Sequence, residues 1–138
     1  MQNVKRKLEM AILNAKSFIQ AKKEGSGFIA FSPLAQGVLT DRYLEGIPSD
    51  SRASRDFSLK KDSLTPELIE RLRQLNDIAA SRGQSLAQMA LAWVLKDEMV
   101  SSVIVGASSI GQLDNNLQAI RNTVFSDEEK EMIDRLTK

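Results

Sequence analysis

Gly27-Phe28-Ile29-Ala30-Phe31-Ser32-Pro33 and Ser102-Val103-Ile104-Val105-Gly106 decide how this chain folds. Each is a short, continuous apolar run rather than an alternating one, the pattern of a strand covered on both faces. Ser32-Pro33 ends the first, because proline has no amide hydrogen for a ladder, and Gly106 ends the second. Helices are predicted around them. Thr65-Pro66-Glu67 opens one with a capping hydroxyl, a proline at the first helical position and an acid in the first turn. Leu68, Leu72, Leu75, Ile78 and Ala79 form its buried stripe, and Gly83 closes it. Ser85 with Gln88 makes a capping box for the next. There Leu86, Met89, Ala90, Trp93 and Val94 share a face, while Leu91 and Leu95 extend the apolar surface. Ser108 or Ser109 caps a third helix running to about Ile120. Ser126 with Glu129 boxes a fourth, carrying Met132, Ile133 and Leu136. Residues 33 to 63 read as a long loop with a helical turn near Gly37 to Leu44 and a turn at Gly46-Ile47-Pro48-Ser49. Loops of that length in compact domains are usually functional or mobile.

With an amphipathic helix over residues 1 to 24, the order is helix, strand, long loop, two helices, strand, two helices. That order predicts a helix-rich α/β chain with a parallel sheet. Two buried parallel strands without neighbours leave apolar faces and ladder edges open, so the pattern reads as part of something larger. A (β/α)8 TIM barrel takes about 250 residues; this chain has 138.

Composition narrows the function. With 42% hydrophobic and 27% charged residues and a net charge of +1, the chain resembles an ordinary globular domain, and no general electrostatic attraction to nucleic acid is implied. Charge is uneven: residues 1 to 24 hold six Lys/Arg against two Glu. There Lys5, Arg6, Lys7 and Lys16 accompany Leu8, Ala11, Ile12, Ala15 and Ile19 at helical spacing. Glu9 and Glu24 interrupt the pattern, so a helix lying on its own protein is expected in preference to a targeting peptide or a membrane-surface helix. The longest apolar run, Met89 to Leu95, is far short of the roughly 20 residues a membrane span needs. Cysteine and histidine are absent, which excludes disulfides, His/Cys zinc sites and Ser-His-Asp or Cys-His catalysis within this sequence. A reducing cytoplasm is the default setting for such a chain.

Phe28-Ile29-Ala30-Phe31-Ser32-Pro33-Leu34-Ala35-Gln36-Gly37-Val38-Leu39-Thr40 and Ser102-Val103-Ile104-Val105-Gly106-Ala107-Ser108, followed by Gln112-Leu113 and Asn116, resemble two hallmarks of the aldo-keto reductases. The likeness is to the branch holding bacterial L-glyceraldehyde 3-phosphate reductases and potassium-channel β-subunits. It runs from about Gly27 to Leu136 and includes Gln84 to Trp93; residues 1 to 24 match less clearly. The resemblance implies one partial domain over 1 to 138, the C-terminal part of a (β/α)8 barrel, with Phe28 to Phe31 as the seventh strand and Ser102 to Val105 as the eighth. Such barrels place their sites at the C-terminal ends of the strands. It further implies NADP(H) as cofactor. Ser32, Pro33, Leu34, Ala35 and Gln36 would wrap the pyrophosphate, with Arg42 near a phosphate. Gly106 and Ser108 would approach the 2′-phosphate end, and Gln112, Asn115 and Asn116 the adenosine. Relatives often carry a basic residue near position 109, which here is Ser109, so the preference for NADP over NAD is weakened.

The residues themselves support that reading and leave others open. A strand-end glycine lets backbone approach a ligand, and the amides opening the next helix suit a phosphate. Equally, Gly-Ala-Ser is a strand exit, Ser109/Gln112 a capping box, Asn116 a surface residue, Ser32-Pro33 a strand-ending turn and Arg42 a solvated cation. Carbonyl reduction needs a hydride and a general acid. The resemblance implies that the acid is a Tyr supported by Asp, Lys and His, all from the first four barrel strands, so this chain is expected to be inactive alone. Tyr43, the single tyrosine, lies after the seventh strand without that set, and Trp93 reads as a core residue. The competing expectation is a non-catalytic module that pairs its open sheet edges with a partner, either the N-terminal half of a barrel or a second copy of itself.

Overall fold

The computed structural model describes residues 23–46 and 64–137. The helix expected over residues 1 to 24 and the turn at Gly46 to Ser49 fall almost wholly outside them. Two strands, β1 (Phe28–Phe31) and β2 (Val100–Ile104), pair in parallel. Among the described residues the α-helices that accompany them are α1 (Pro66–Ser81), α2 (Leu86–Leu95), α3 (Ile110–Leu117) and α4 (Asp127–Thr137). Short 3-10 turns lie at Ala35–Gly37, Asp41–Tyr43 and Gln118–Arg121.

The helix ends follow the local sequence. Thr65 accepts a hydrogen bond from the Leu68 amide at 3.2 Å, capping α1. Its other end closes at Gly83, whose φ of +67° suits glycine. There the Gly83 amide reaches the Ala80 carbonyl and the Gln84 amide the Ala79 carbonyl, both at 2.9 Å, a paired closure that satisfies two of the helix's last carbonyls. Ser85 and Gln88 form the reciprocal box on α2, and Ser126 with Glu129 does the same for α4, at 2.7 and 3.1 Å.

The core lies between α1, α2, α4 and the segment after β1. Leu72, Leu75, Ile78 and Ala79 of α1 meet Leu86, Met89 and Ala92 of α2, with Phe125 and Ile133 closing one end. Helix α2 is apolar nearly all round, burying Ala87, Leu91 and Val94 as well. The expected long loop is short-turned and well packed over residues 35 to 43: Ala35, Val38, Leu39 and Tyr43 are buried members of the core, and Tyr43 is 1% exposed. Trp93 sits half-buried at the core's rim, edge-on to Phe125 with ring centroids 5.0 Å apart and with the Lys96 ammonium 4.2 Å over its own ring. Met132 faces outward, leaving Ile133 and the half-buried Leu136 to dock α4.

The strands are covered on one face here, not two. Ala30 is buried, but Ile29, Phe31 and Ile104 are 60 to 62% exposed. Alternation along β1 explains this, because successive side chains point to opposite faces and the helices cover the Ala30 side. Among the described residues, no helix is long and apolar enough to cross a membrane.

Candidate functional site

Strand register brings the two motifs together. Phe31 pairs with Ile104 in a parallel ladder, so Ser32 to Gly37 and Gly106 to Gln112 leave the same edge of the sheet from adjacent strands, about 5 Å apart. At the opposite end of the strands Gly27 approaches β2 closely, so that a Cβ there would meet the Ser101 hydroxyl unless that side chain turned away. Ser101 is the residue passed over where the register shifts between Phe28 and Ile29.

The segment after β1 is wound tightly. The Ala35 amide donates to the Ser32 carbonyl at 3.0 Å, and the Gly37 and Leu39 amides converge on the Leu34 carbonyl at 2.9 and 3.2 Å. To make these turns, Ser32, Ala35 and Gln36 adopt φ values of 53°, 49° and 63°. Side-chain-bearing residues in that region are strained by about 1–2 kcal/mol each, and such strain concentrates where backbone is held for a ligand. Pro33 is buried and Leu34 half-buried, so the winding rests on the core beneath it. The Oε1 of Gln36 is a buried acceptor with no hydrogen-bond donor. Beyond it, the Thr40 hydroxyl donates to the Gly37 carbonyl at 2.7 Å and accepts from the Arg42 amide at 3.3 Å, which places Arg42 on the exposed side of the next turn.

Gly106 differs from Gly27. It has no left-handed φ, and a Cβ there would meet nothing within 4 Å. Nothing in the described chain demands a glycine at this position. Ser109 caps α3 by accepting from the Gln112 amide at 3.2 Å. The Gln112 side chain reaches back one residue further than a capping box would: its Oε1 accepts from the Ser108 amide at 2.8 Å and the Ser108 hydroxyl at 2.9 Å. Ser108 and Gln112 thus brace each other at the mouth of the helix.

Asn115 and Asn116 diverge. Asn116 is buried rather than on the surface. Asn115 is half-buried and turned toward α2, where Gln88 Nε2 donates to its side-chain oxygen at 2.8 Å and to its carbonyl at 3.1 Å. Its own Nδ2 donates to the Ser85 hydroxyl at 3.2 Å. Ser85 and Gln88 were legible as a capping box, but this second use was not. A polar pair thirty residues apart leaves no periodic trace.

A second polar centre lies at the far end of α1. Arg82, with a side chain 3% exposed, pairs with Glu129 at 2.6 Å. It also donates to the Asn122 and Val124 carbonyls at 3.1 and 3.0 Å and to Gln84 Oε1 at 2.9 Å. Its guanidinium lies 3.7 Å over the Phe125 ring. Burial raises the Glu129 carboxyl, but the Ser126 amide and the Arg82 guanidinium outweigh it and hold the group below its ordinary value of 4.5. No sequence signal separates Arg82 from a helix-terminal surface arginine.

The described residues thus form a helix-backed pair of parallel strands from which the 32–37 and 106–112 segments leave side by side. The chain belongs to the aldo/keto reductase family, whose model matches residues 7–138. It is 53% identical to the L-glyceraldehyde 3-phosphate reductase of Escherichia coli O157:H7 over 119 residues, 83% of this chain and 34% of that protein. The protein of the same name from Escherichia coli K12 is 50% identical over 119 residues, with the same coverage of 83% and 34%. A Schizosaccharomyces pombe protein provisionally named a voltage-gated potassium channel subunit beta is 40% identical over 117 residues, 82% of this chain and 31% of its own. The chain therefore spans about a third of the length of these curated relatives. The family implies a (β/α)8 barrel, and the described residues form a helix-rich α/β portion with a two-stranded sheet.

Proposed function

We propose that this chain forms the cofactor-binding side of an NADP(H)-dependent aldo-keto reductase, with β1 and β2 as the seventh and eighth strands of its barrel. The observation that carries this reading is the strained winding Ser32 to Gly37 beside Gly106 at one sheet edge. Ser32, Pro33, Leu34, Ala35 and Gln36 would cradle the pyrophosphate, with Arg42 offering a cation to a phosphate oxygen. The buried, donorless Gln36 Oε1 fits a ligand hydroxyl or amide in this role. Gly106 and Ser108 would border the 2′-phosphate, because a glycine that the chain itself does not need leaves room for one. Gln112, Asn115 and Asn116 belong to the adenosine end. When bound, the dinucleotide supplies the hydride for carbonyl reduction.

This chain's own part is to bind and orient. The proton for the developing alkoxide requires a general acid, and the family's Tyr, Asp, Lys and His lie on earlier strands. Tyr43 is buried in the core and unsuited to that task. The expected outcome is saturable quenching or enhancement of NADPH fluorescence on titration with the chain, loss of that signal in Gly106→Asp, and no carbonyl turnover. Absence of saturable binding at millimolar NADPH would overturn the proposal for this polypeptide.

A second reading is favoured by the open face of the sheet. Ile29, Phe31 and Ile104 stand exposed on one face of the sheet, and Ile110, Leu113 and Leu117 are exposed on α3. An exposed apolar strand face of this kind marks an interface. On this reading the chain is an interaction module that buries its open strands against the N-terminal portion of a barrel or against another copy.

A further inference from the structure

We propose that Gln88, acting with Ser85 through Asn115, is a positioning residue that fixes helix α3 and thereby the nucleotide contacts carried on it. The proposal rests on the cofactor reading above.

Helix α3 has little apolar attachment to the body. Of its eight residues Asn116 alone is buried, while Ile110, Leu113 and Leu117 face outward. A helix so placed needs another hold, and the hydrogen bonds to α2 provide it. In an ordinary capping box the glutamine's work ends when its oxygen accepts the cap amide. Here Gln88 Oε1 accepts from the Ser85 amide at 3.0 Å, and the amide nitrogen left over is spent on Asn115, on both its carbonyl and its side-chain oxygen. The Asn115 nitrogen closes the loop on the Ser85 hydroxyl, which is itself the acceptor for the Gln88 amide at 3.2 Å. Three side chains thus tie the first turn of the best-packed helix to the last turn of the least-packed one. Asn115 is turned inward by this arrangement, so its contribution to the nucleotide is made through Gln112 and Asn116, which it holds in place on the same helix.

The two jobs of Gln88 can be separated by one atom. Gln88→Glu keeps an oxygen to accept the Ser85 amide, preserving the cap, but has no hydrogen to donate and sets an anionic oxygen against both Asn115 acceptors. Gln88→Ala removes the side-chain half of the capping box together with residue 88's bonds to Asn115, leaving the Ser85 hydroxyl its bonds to the backbone amide of residue 88 and to Asn115. In the full chain, Gln88→Glu is expected to speed amide hydrogen exchange over 110–117 while leaving 86–95 protected. It is also expected to weaken binding of NADPH and of 2′,5′-ADP by about tenfold, the effect of one lost hydrogen bond with a repulsion added. Gln88→Ala should produce both of these changes and also deprotect the start of 86–95. Unchanged exchange over 110–117 in Gln88→Glu would overturn the tie itself. Wild type and Gln88→Glu binding 2′,5′-ADP equally would overturn the positioning role and leave the cofactor reading standing. Wild type failing to bind either ligand at millimolar concentration would overturn the cofactor reading, and the positioning role with it.

Discussion

At the scale of single residues, Arg82 concentrates more structure than any other side chain described. Its guanidinium joins the end of α1 to the 122–124 segment and to the first turn of α4, and it roofs Phe125. The pair is part-buried, Arg82 at 3% side-chain exposure and Glu129 at 21%, so losing either partner forfeits a charge-assisted hydrogen bond, worth about 1.5–3 kcal/mol, without leaving a fully desolvated charge. Arg82→Met, which keeps the aliphatic volume, is therefore expected to lower unfolding stability by about 2 kcal/mol in urea denaturation, Gln84 still donating to the Asn122 carbonyl while the Val124 carbonyl turns to water. Glu129→Gln keeps the shape and an acceptor and should cost about 1 kcal/mol. The acid dependence follows from the lowered Glu129 carboxyl. A carboxyl held below its unfolded value stabilises the fold above that value and loses the contribution as pH falls through the folded one. The stability gap between wild type and Glu129→Gln should therefore be full near pH 6 and close progressively below about pH 4. A gap that persisted unchanged into acid would remove the carboxylate from the account. Gly27→Ala tests a different kind of constraint. Its new methyl forces the Ser101 side chain to turn away, so a loss of about 1 kcal/mol is expected, recovered when Ser101 is also made glycine.

At the scale of elements, what was legible in the sequence was whatever depends on neighbours along the chain. Thr65, Ser85 and Ser126 announced their helices because a capping hydroxyl and its partner lie three residues apart. Gly83 announced the end of α1 because its φ of +67° is intrinsic to the turn. Gly83→Ala is accordingly expected to destabilise by about 1 kcal/mol without altering ligand binding, read as a shifted melting temperature with unchanged NADPH affinity. Both strands were legible from their apolar runs, and with them the sheet edge that carries the candidate site. Three things were not. Val38, Leu39 and Tyr43 look like loop residues among Gly, Asp and Arg, and only the tertiary fold turns them under the 32–37 winding. The exposure of Ile29, Phe31 and Ile104 is invisible to hydropathy, which reports what a side chain prefers and not whether anything covers it. The turning of Asn115 toward Gln88 is a contact between distant segments, which neither local spacing nor the family resemblance reports.

At the scale of the whole molecule, the distribution of apolar surface separates the part that is self-sufficient from the part that is not. The α1, α2 and α4 side closes on itself around Leu72, Leu75, Met89 and Ile133. The strand side does not: Ile29, Phe31 and Ile104 form one row on the open sheet face, and Ile110 at 81% exposure, Leu117 and Ile120 are exposed on α3 and the turn after it. Burying such a row is worth about 25 cal/mol per Å2, and parallel strands with bare edges add unpaired ladder groups that another chain can satisfy. The chain alone is therefore expected to associate as its concentration rises, with light scattering showing a mass above 15.3 kDa. Ile29→Thr combined with Ile104→Thr should shift that association to higher concentration. Because both side chains are solvent-facing and threonine keeps the β-branch that strands favour, the pair should alter the stability of the closed helical side by no more than about 0.5 kcal/mol per site. A monodisperse monomer for the unmodified chain at high concentration would contradict the interface reading. Association unaffected by the double substitution would move the contact from the strand face to the α3 row, where Ile110→Ser and Leu117→Ser make the corresponding test.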